Sequence, residues 1–184
     1  NEIKIFGELD LGEGSKATRE AFDAMFKFGG FPEPLIKQSE RELRRWQNER
    51  VERLVKEDIR DVQSLKDLSA MQLLIDTLPE KVGSLLSINS IREDLEYAHK
   101  TISNWLEILE RFYYQFRIYP FSGKRIRSLK KEAKLYLWDW SEVDDTARRL
   151  ENLIASHLLK LAHYLHDALG HKVERLPART KDVA

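Results

Sequence analysis

Apolar residues recur at three- and four-residue steps through most of the chain, so helices dominate the expected architecture. Residues 1–15 carry no such period and read as irregular. Ala21, Phe22, Met25, Phe26 and Phe28 make the first stripe, over about Thr18 to Phe28, and Gly29 with Gly30 closes it as a C-cap. Pro32 and Pro34 predict an extended stretch, because each ring disfavours helical backbone in the residue before it. Ser39 followed by Glu42 is a capping-box pattern, after which Leu43, Trp46, Leu54, Val55, Ile59 and Val62 line one side of a long, charged helix.

Leu68, Met71, Ile75, Leu78 and Val82 predict a further helix that starts at Asp67 and stops at Gly83. Ser90 and Glu93 form a second capping box, opening a short helix with Ile91 and Leu95 one turn apart. Beyond Tyr97, Ala98 and His99, a helix from about Lys100 to Tyr113 turns Ile102, Leu106, Leu109 and Phe112 inward. So short a link makes a helix-turn-helix pattern. Alternation from Tyr114 to Phe121, a Ser122-Gly123 turn and Lys124 to Leu129 then predict a β-hairpin, and Leu135 to Trp140 one more strand. Three helices followed by a hairpin is the order of a winged helix. The last helix, about Thr146 to Leu169, has Leu150, Leu153, Ile154, Leu158, Leu161 and Leu165 as its expected buried stripe and Gly170 as its stop. Val173 to Leu176 suits the start of a strand.

The expected fold is therefore mainly α with a small β component. It divides into a helical segment at 1–63, a winged helix-turn-helix at 64–134 and a strand-helix tail at 135–184.

Composition supports a packed core: of 184 residues, 42% are hydrophobic, against only 8 Gly and 5 Pro. The absence of cysteine excludes disulfides and thiolate chemistry and fits a cytoplasmic protein. No apolar run reaches the length of a membrane span, so no membrane partner is expected. Basic and acidic residues both number 31, yet they are unevenly placed. Residues 99–134 hold 9 basic and 3 acidic groups, whereas 1–98 hold 15 and 20. The basic excess falls on the second helix of the helix-turn-helix and on the wing. His99, Lys100, Ser103 and Asn104 would sit at the helix start that enters a major groove, and Arg117, Lys124, Arg125, Arg127, Lys130 and Lys131 would contact phosphates of double-stranded DNA. Winged helices also serve as packing modules, and Glu107 and Glu110 place negative charge on the same helix.

Other chemistry fails on spacing. The stretch from Gly7 to Thr18 lacks the Lys and hydroxyl that must directly follow the second glycine of a phosphate loop: Gly12 precedes Glu13, and Ser15 and Lys16 stand in reversed order. The chain is therefore expected neither to bind nor to hydrolyse ATP by itself. His157, His163, His166 and His171 cluster near the C-terminus, but no HExxH accompanies them, and no metal site is expected.

From about Ala21 to Asp167 the motif order resembles the C-terminal half, a domain of unknown function, of prokaryotic AAA+-like P-loop ATPases. The resembling elements are FGGFPEP from Phe28 to Pro34, Arg45-Trp46 with Arg50, and EDIRD from Glu57 to Asp61. They continue with SINSI from Ser87, KTIS from Lys100, KLYLWD from Lys134 to Asp139, and LENLIA from Leu150. The resemblance implies an upstream P-loop module carrying ATP and Mg²⁺, a lid-like role for residues 1–63, and oligomerisation as an option. It implies a nucleotide-sensing role for Gly30, Phe31 and Pro32, although a helix C-cap and rigid turn would call for the same residue types. It also implies that the tail opens like a restriction-endonuclease-like core, with Asp139 and Glu151 as metal-binding carboxylates. The acidic strand such a core needs after Val173 is not visible in the sequence, so structural carboxylates remain the alternative. The function expected is the coupling of a nucleotide state to a DNA or protein partner. A metal-dependent nuclease or a purely structural interaction module are the rival readings.

Overall fold

The computed structural model describes residues 16–59, 67–120 and 132–170, and every structural statement below concerns those residues. They form a mainly helical fold with a small antiparallel sheet.

Helix α1 (Lys16–Phe28) ends where Gly29 takes φ +83°, a left-handed conformation open to glycine without strain. The extended stretch expected at the prolines is instead a short helix, α2 (Pro32–Lys37). Phe31 is its extended N-cap and Pro32 opens its first turn, so both prolines stand where a helix has no use for a backbone N–H. Ser39 caps α3 (Glu40–Arg53), its hydroxyl accepting the Glu42 N–H as the capping pattern predicts. The helix then widens into a π-helical turn, Leu54–Ile59.

Asp67 caps α4 (Leu68–Lys81) by accepting the Ala70 N–H at 2.9 Å. Helix α5 (Ile88–Leu95) starts three residues before the expected box: Ser87 is the cap and accepts the Ser90 N–H. Helix α6 (His99–Arg111) buries Ile102, Trp105, Leu106, Ile108 and Leu109. These side chains join Met71, Leu74, Ile75 and Leu78 of α4 in the centre of the core.

Strand β1 (Gln115–Ile118) pairs antiparallel with β2 (Lys134–Leu137), Gln115 opposite Leu137 and Ile118 opposite Lys134. The strand expected after Tyr114 thus finds its partner in the segment read as one further strand. The expected turn at Ser122-Gly123 and strand at 124–129 lie outside the described residues. On the other edge of β2 the chain between α4 and α5 adds a short bridge. Gly83 N–H donates to Leu135 O at 3.0 Å, and Leu86 N–H to Ala133 O at 2.8 Å. The run from Leu135 to Trp140 is not all strand, because Asp139 caps a 3-10 turn, Trp140–Glu142.

Helix α7 (Thr146–Asp167) is rotated from its expected setting. Leu150, Ile154 and Leu158 are 42%, 48% and 53% exposed, while Asn152, Leu153, Ala155, Ser156, Leu159 and Leu165 are buried. The cause is a polar contact that apolar spacing does not anticipate. Asn152 Oδ1 accepts the Leu137 N–H at 2.8 Å and its Nδ2 donates to Leu137 O at 2.7 Å, closing the end of β2. Gly170 ends the helical run as expected, at φ +68° with its N–H on His166 O. Among the described residues no helix is long and apolar enough to cross a membrane.

Candidate functional site

Two places concentrate the residues singled out by sequence. The first is the leading edge of α6. Its apolar side faces the core, which leaves His99, Lys100 and Asn104 exposed and Ser103 half-buried on the first turns. The N-cap, Ala98, offers no side-chain oxygen, so the backbone N–H groups of that turn are not capped by it. The helix start is also a site of positive partial charge. Arg117 projects from β1 but is not held free for phosphate. Its Nε and Nη2 both donate to Glu110 Oε2, at 3.0 and 2.6 Å, joining β1 to the far end of α6. The remaining candidates Lys124, Arg125, Arg127, Lys130 and Lys131 lie outside the described residues.

The second place is a buried junction where α1, α2, α3 and the 3-10 turn meet. A Cβ on Gly30 would stand 2.5 Å from the Trp140 ring, and one on Gly29 would stand 2.6 Å from Asp139 Oδ1. The two glycines are thus required by close approach. Trp140 Nε1 donates to Met25 O at 3.0 Å, which fixes the indole across them. Phe31 packs on Trp46 with centroids 4.8 Å apart, and the Arg50 guanidinium lies 4.8 Å over the Phe31 ring. Gly30 and Phe31 therefore serve this packing, and Pro32 the start of α2.

Arg50 also donates to Glu142 Oε1 at 2.7 Å, and the Tyr114 hydroxyl donates to Glu142 Oε2 at 2.7 Å. Burial pushes the Glu142 carboxyl up to about 7, aided by the nearby Asp139 charge and opposed by Arg50. Burial likewise raises Asp139, although it accepts hydrogen bonds from the Ser141 N–H at 3.0 Å and the Ser141 hydroxyl at 2.7 Å. The Asp139 Oδ2 atom is buried with no protein partner. Tyr114 is raised well above its usual value, chiefly by burial.

The two carboxylates of the nuclease reading have different hydrogen-bond partners. Asp139 belongs to the junction, whereas Glu151 on α7 accepts from Tyr136 Oη at 2.7 Å and Lys134 Nζ at 3.1 Å. They share no hydrogen-bond partner, and no group of three potential metal ligands occurs among the described residues. His157 turns one ring nitrogen to Leu153 O at 2.9 Å and packs on Trp140.

Residues 19–143 match the family described as a domain of unknown function (DUF8612). The chain belongs to that family. Comparisons with curated proteins and with solved structures gave no match. The matched stretch contains both the α6 edge and the whole junction, and it stops before α7. Glu142 and Tyr114 were not legible as site residues, because their partner Arg50 lies 92 residues from Glu142 in sequence. Only the placement of Arg50 beside the tryptophan motif hinted at it.

Proposed function

We propose that the chain is a DNA-binding coupling module of winged-helix type, acting within a larger ATPase of the kind its motifs resemble. The observation that carries this reading is the order α4, bridging segment, α5, α6, β1, β2, with the bridge laid on β2. That is the order in which winged helices present their third helix. Here the third helix is α6, which buries its whole apolar side and offers His99, Lys100, Ser103 and Asn104 outward. The basic run from Lys124 to Lys131 follows directly in sequence and supplies cations for phosphates. The buried junction fits the other half of the role: it locks α1 to α3 against the residues leading into α7, so a shift in the N-terminal helices would reach α6 through Tyr114.

The test is equilibrium binding to duplex DNA at moderate salt, against a control protein of equal net charge. The chain is expected to bind more tightly than the control, and Ser103→Ala with Asn104→Ala to change the preference among sequences, since base-edge contacts specify. Binding no better than the control would sink the DNA reading and leave α6 as a protein-packing surface.

A further inference from the structure

A cleft of about 850 Å³ opens between α3 with its π-helical turn on one side and α4 on the other, and its floor is the solvent edge of the buried junction. That volume lies within the range of sites that enclose small organic ligands. Its walls are largely hydrocarbon: Val51 and Val55 face Leu68 and Leu73 across it. Leu73 is 56% exposed although its helix is otherwise the centre of the core. An apolar body in the cleft would cover it.

The charges around the cleft are one-sided. Three carboxylates border it: Glu52 is paired with Lys56 at 2.5 Å and Glu142 with Arg50 at 2.7 Å, which leaves Asp76, bonded to the Gln72 amide, as the unbalanced charge. An anionic ligand would meet repulsion here. At the floor, each Glu142 oxygen receives one hydrogen bond, from Arg50 or from Tyr114, and a carboxylate oxygen has a second lone pair to give. Gln47, whose amide donates to Ser141 Oγ at 3.0 Å, also lines the cleft.

We propose that this cleft binds a small organic cation on an apolar body, an amidinium, guanidinium or ammonium group seated against Glu142 with its hydrocarbon between α3 and α4. The groups that face Glu142 are Arg50 from α3, Tyr114 from the α6–β1 junction and Asp139 from the cap of the 3-10 turn. Arg50 is the one cation among them. The ligand needs the ionised carboxylate, so its binding tightens as pH rises through the range where Glu142 loses its proton. This inference stands apart from the DNA reading, since no residue of the α6 edge borders the cleft.

The probe is benzamidinium, with neutral benzamide and anionic benzoate as shape-matched controls, followed by amide chemical shifts and calorimetry on the whole chain. Benzamidinium is expected to shift the amides around Val51, Leu68 and Tyr114, to bind at least about ten-fold more tightly than either control, and to bind more tightly at pH 8 than at pH 6. Glu142→Gln is expected to erase the preference for the cation. Because that position is buried, Leu73→Arg at the exposed wall serves as a second variant that leaves the core untouched and still blocks the site. Equal binding of all three probes, shifts located elsewhere, or no binding of benzamidinium up to its solubility would overturn the proposal.

Discussion

Helices α6 and α7 are both amphipathic along the chain but meet the core in different ways. Helix α6 turns inward only large apolar side chains, Ile102, Trp105, Leu106, Ile108 and Leu109, and every one is nearly inaccessible. Helix α7 turns inward Asn152 and Ser156 beside Leu153, Ala155, Leu159 and Leu165, and leaves three large aliphatic side chains about half exposed. Hydrocarbon burial sets the rotation of α6. On α7 the obligation to satisfy a strand end sets it, because the Leu137 N–H and C=O sit in the interior bonded to Asn152, with Ser156 Oγ reaching the same C=O at 3.5 Å. The same contrast separates the α4–α6 core from the junction, where half-buried Arg50 and Glu142 join buried Tyr114 in a hydrogen-bonded set.

The strongest way to break this comparison is Leu106→Ala. Leu106 is fully buried among α4 and β-strand side chains, so the cavity left behind should cost about 2–5 kcal/mol in denaturant unfolding. A loss below about 1 kcal/mol would show that α6 is not held by its apolar side.

The junction gives a pH-dependent test. The folded chain keeps the Glu142 proton up to about pH 7, whereas an unfolded chain releases it near the ordinary glutamate value of 4.5. Protonated Glu142 therefore contributes stability that is full below about pH 4.5 and is lost as pH climbs through 7, at most about 3 kcal/mol. Glu142→Gln should flatten that part of the stability curve while leaving the rest in place. Parallel curves for the two proteins between pH 4.5 and 7 would contradict the buried setting of this carboxyl.

Asn152→Ala should cost about 2 kcal/mol, since it leaves the Leu137 N–H without its side-chain partner and the Leu137 C=O with only the 3.5 Å contact from Ser156 Oγ, and removes few carbon atoms. Leu158→Ser, on the opposite side of the same helix, should change stability by less than about 0.5 kcal/mol. A reversal of these two outcomes, read in the same unfolding experiment, would restore the leucine stripe as the buried side.

That pair also marks how far the sequence carries. Helix existence was readable wherever burial is apolar: α4 begins at its Asp67 cap and the inward residues of α6 follow their spacing. Pro32 and Pro34 misled because the restriction on the residue before a proline is met at Phe31 by the extended N-cap and overridden at Glu33 inside the first turn, where a proline is tolerated. Leu150, Ile154 and Leu158 misled because their period is as good as that of the true inner side, and only the strand end selects between them. The glycines of FGGFPEP were legible as special positions, but not the Trp140 ring and Asp139 carboxylate that require them, which come from over 100 residues away. The pairing of Arg117 with Glu110 was likewise invisible, since a basic residue on a strand reads the same whether it is neutralised or free.

The central claim, that α6 and the basic run after β1 engage DNA, is tested most directly by the salt dependence of duplex binding. Replacing Lys124, Arg125 and Arg127 together with Gln should weaken binding to every sequence and flatten the plot of log affinity against log salt by up to about three units, because each lost phosphate contact releases fewer counterions. Ser103→Ala with Asn104→Ala should leave that slope unchanged. A triple variant whose affinity and slope equal those of the unaltered chain would contradict the account.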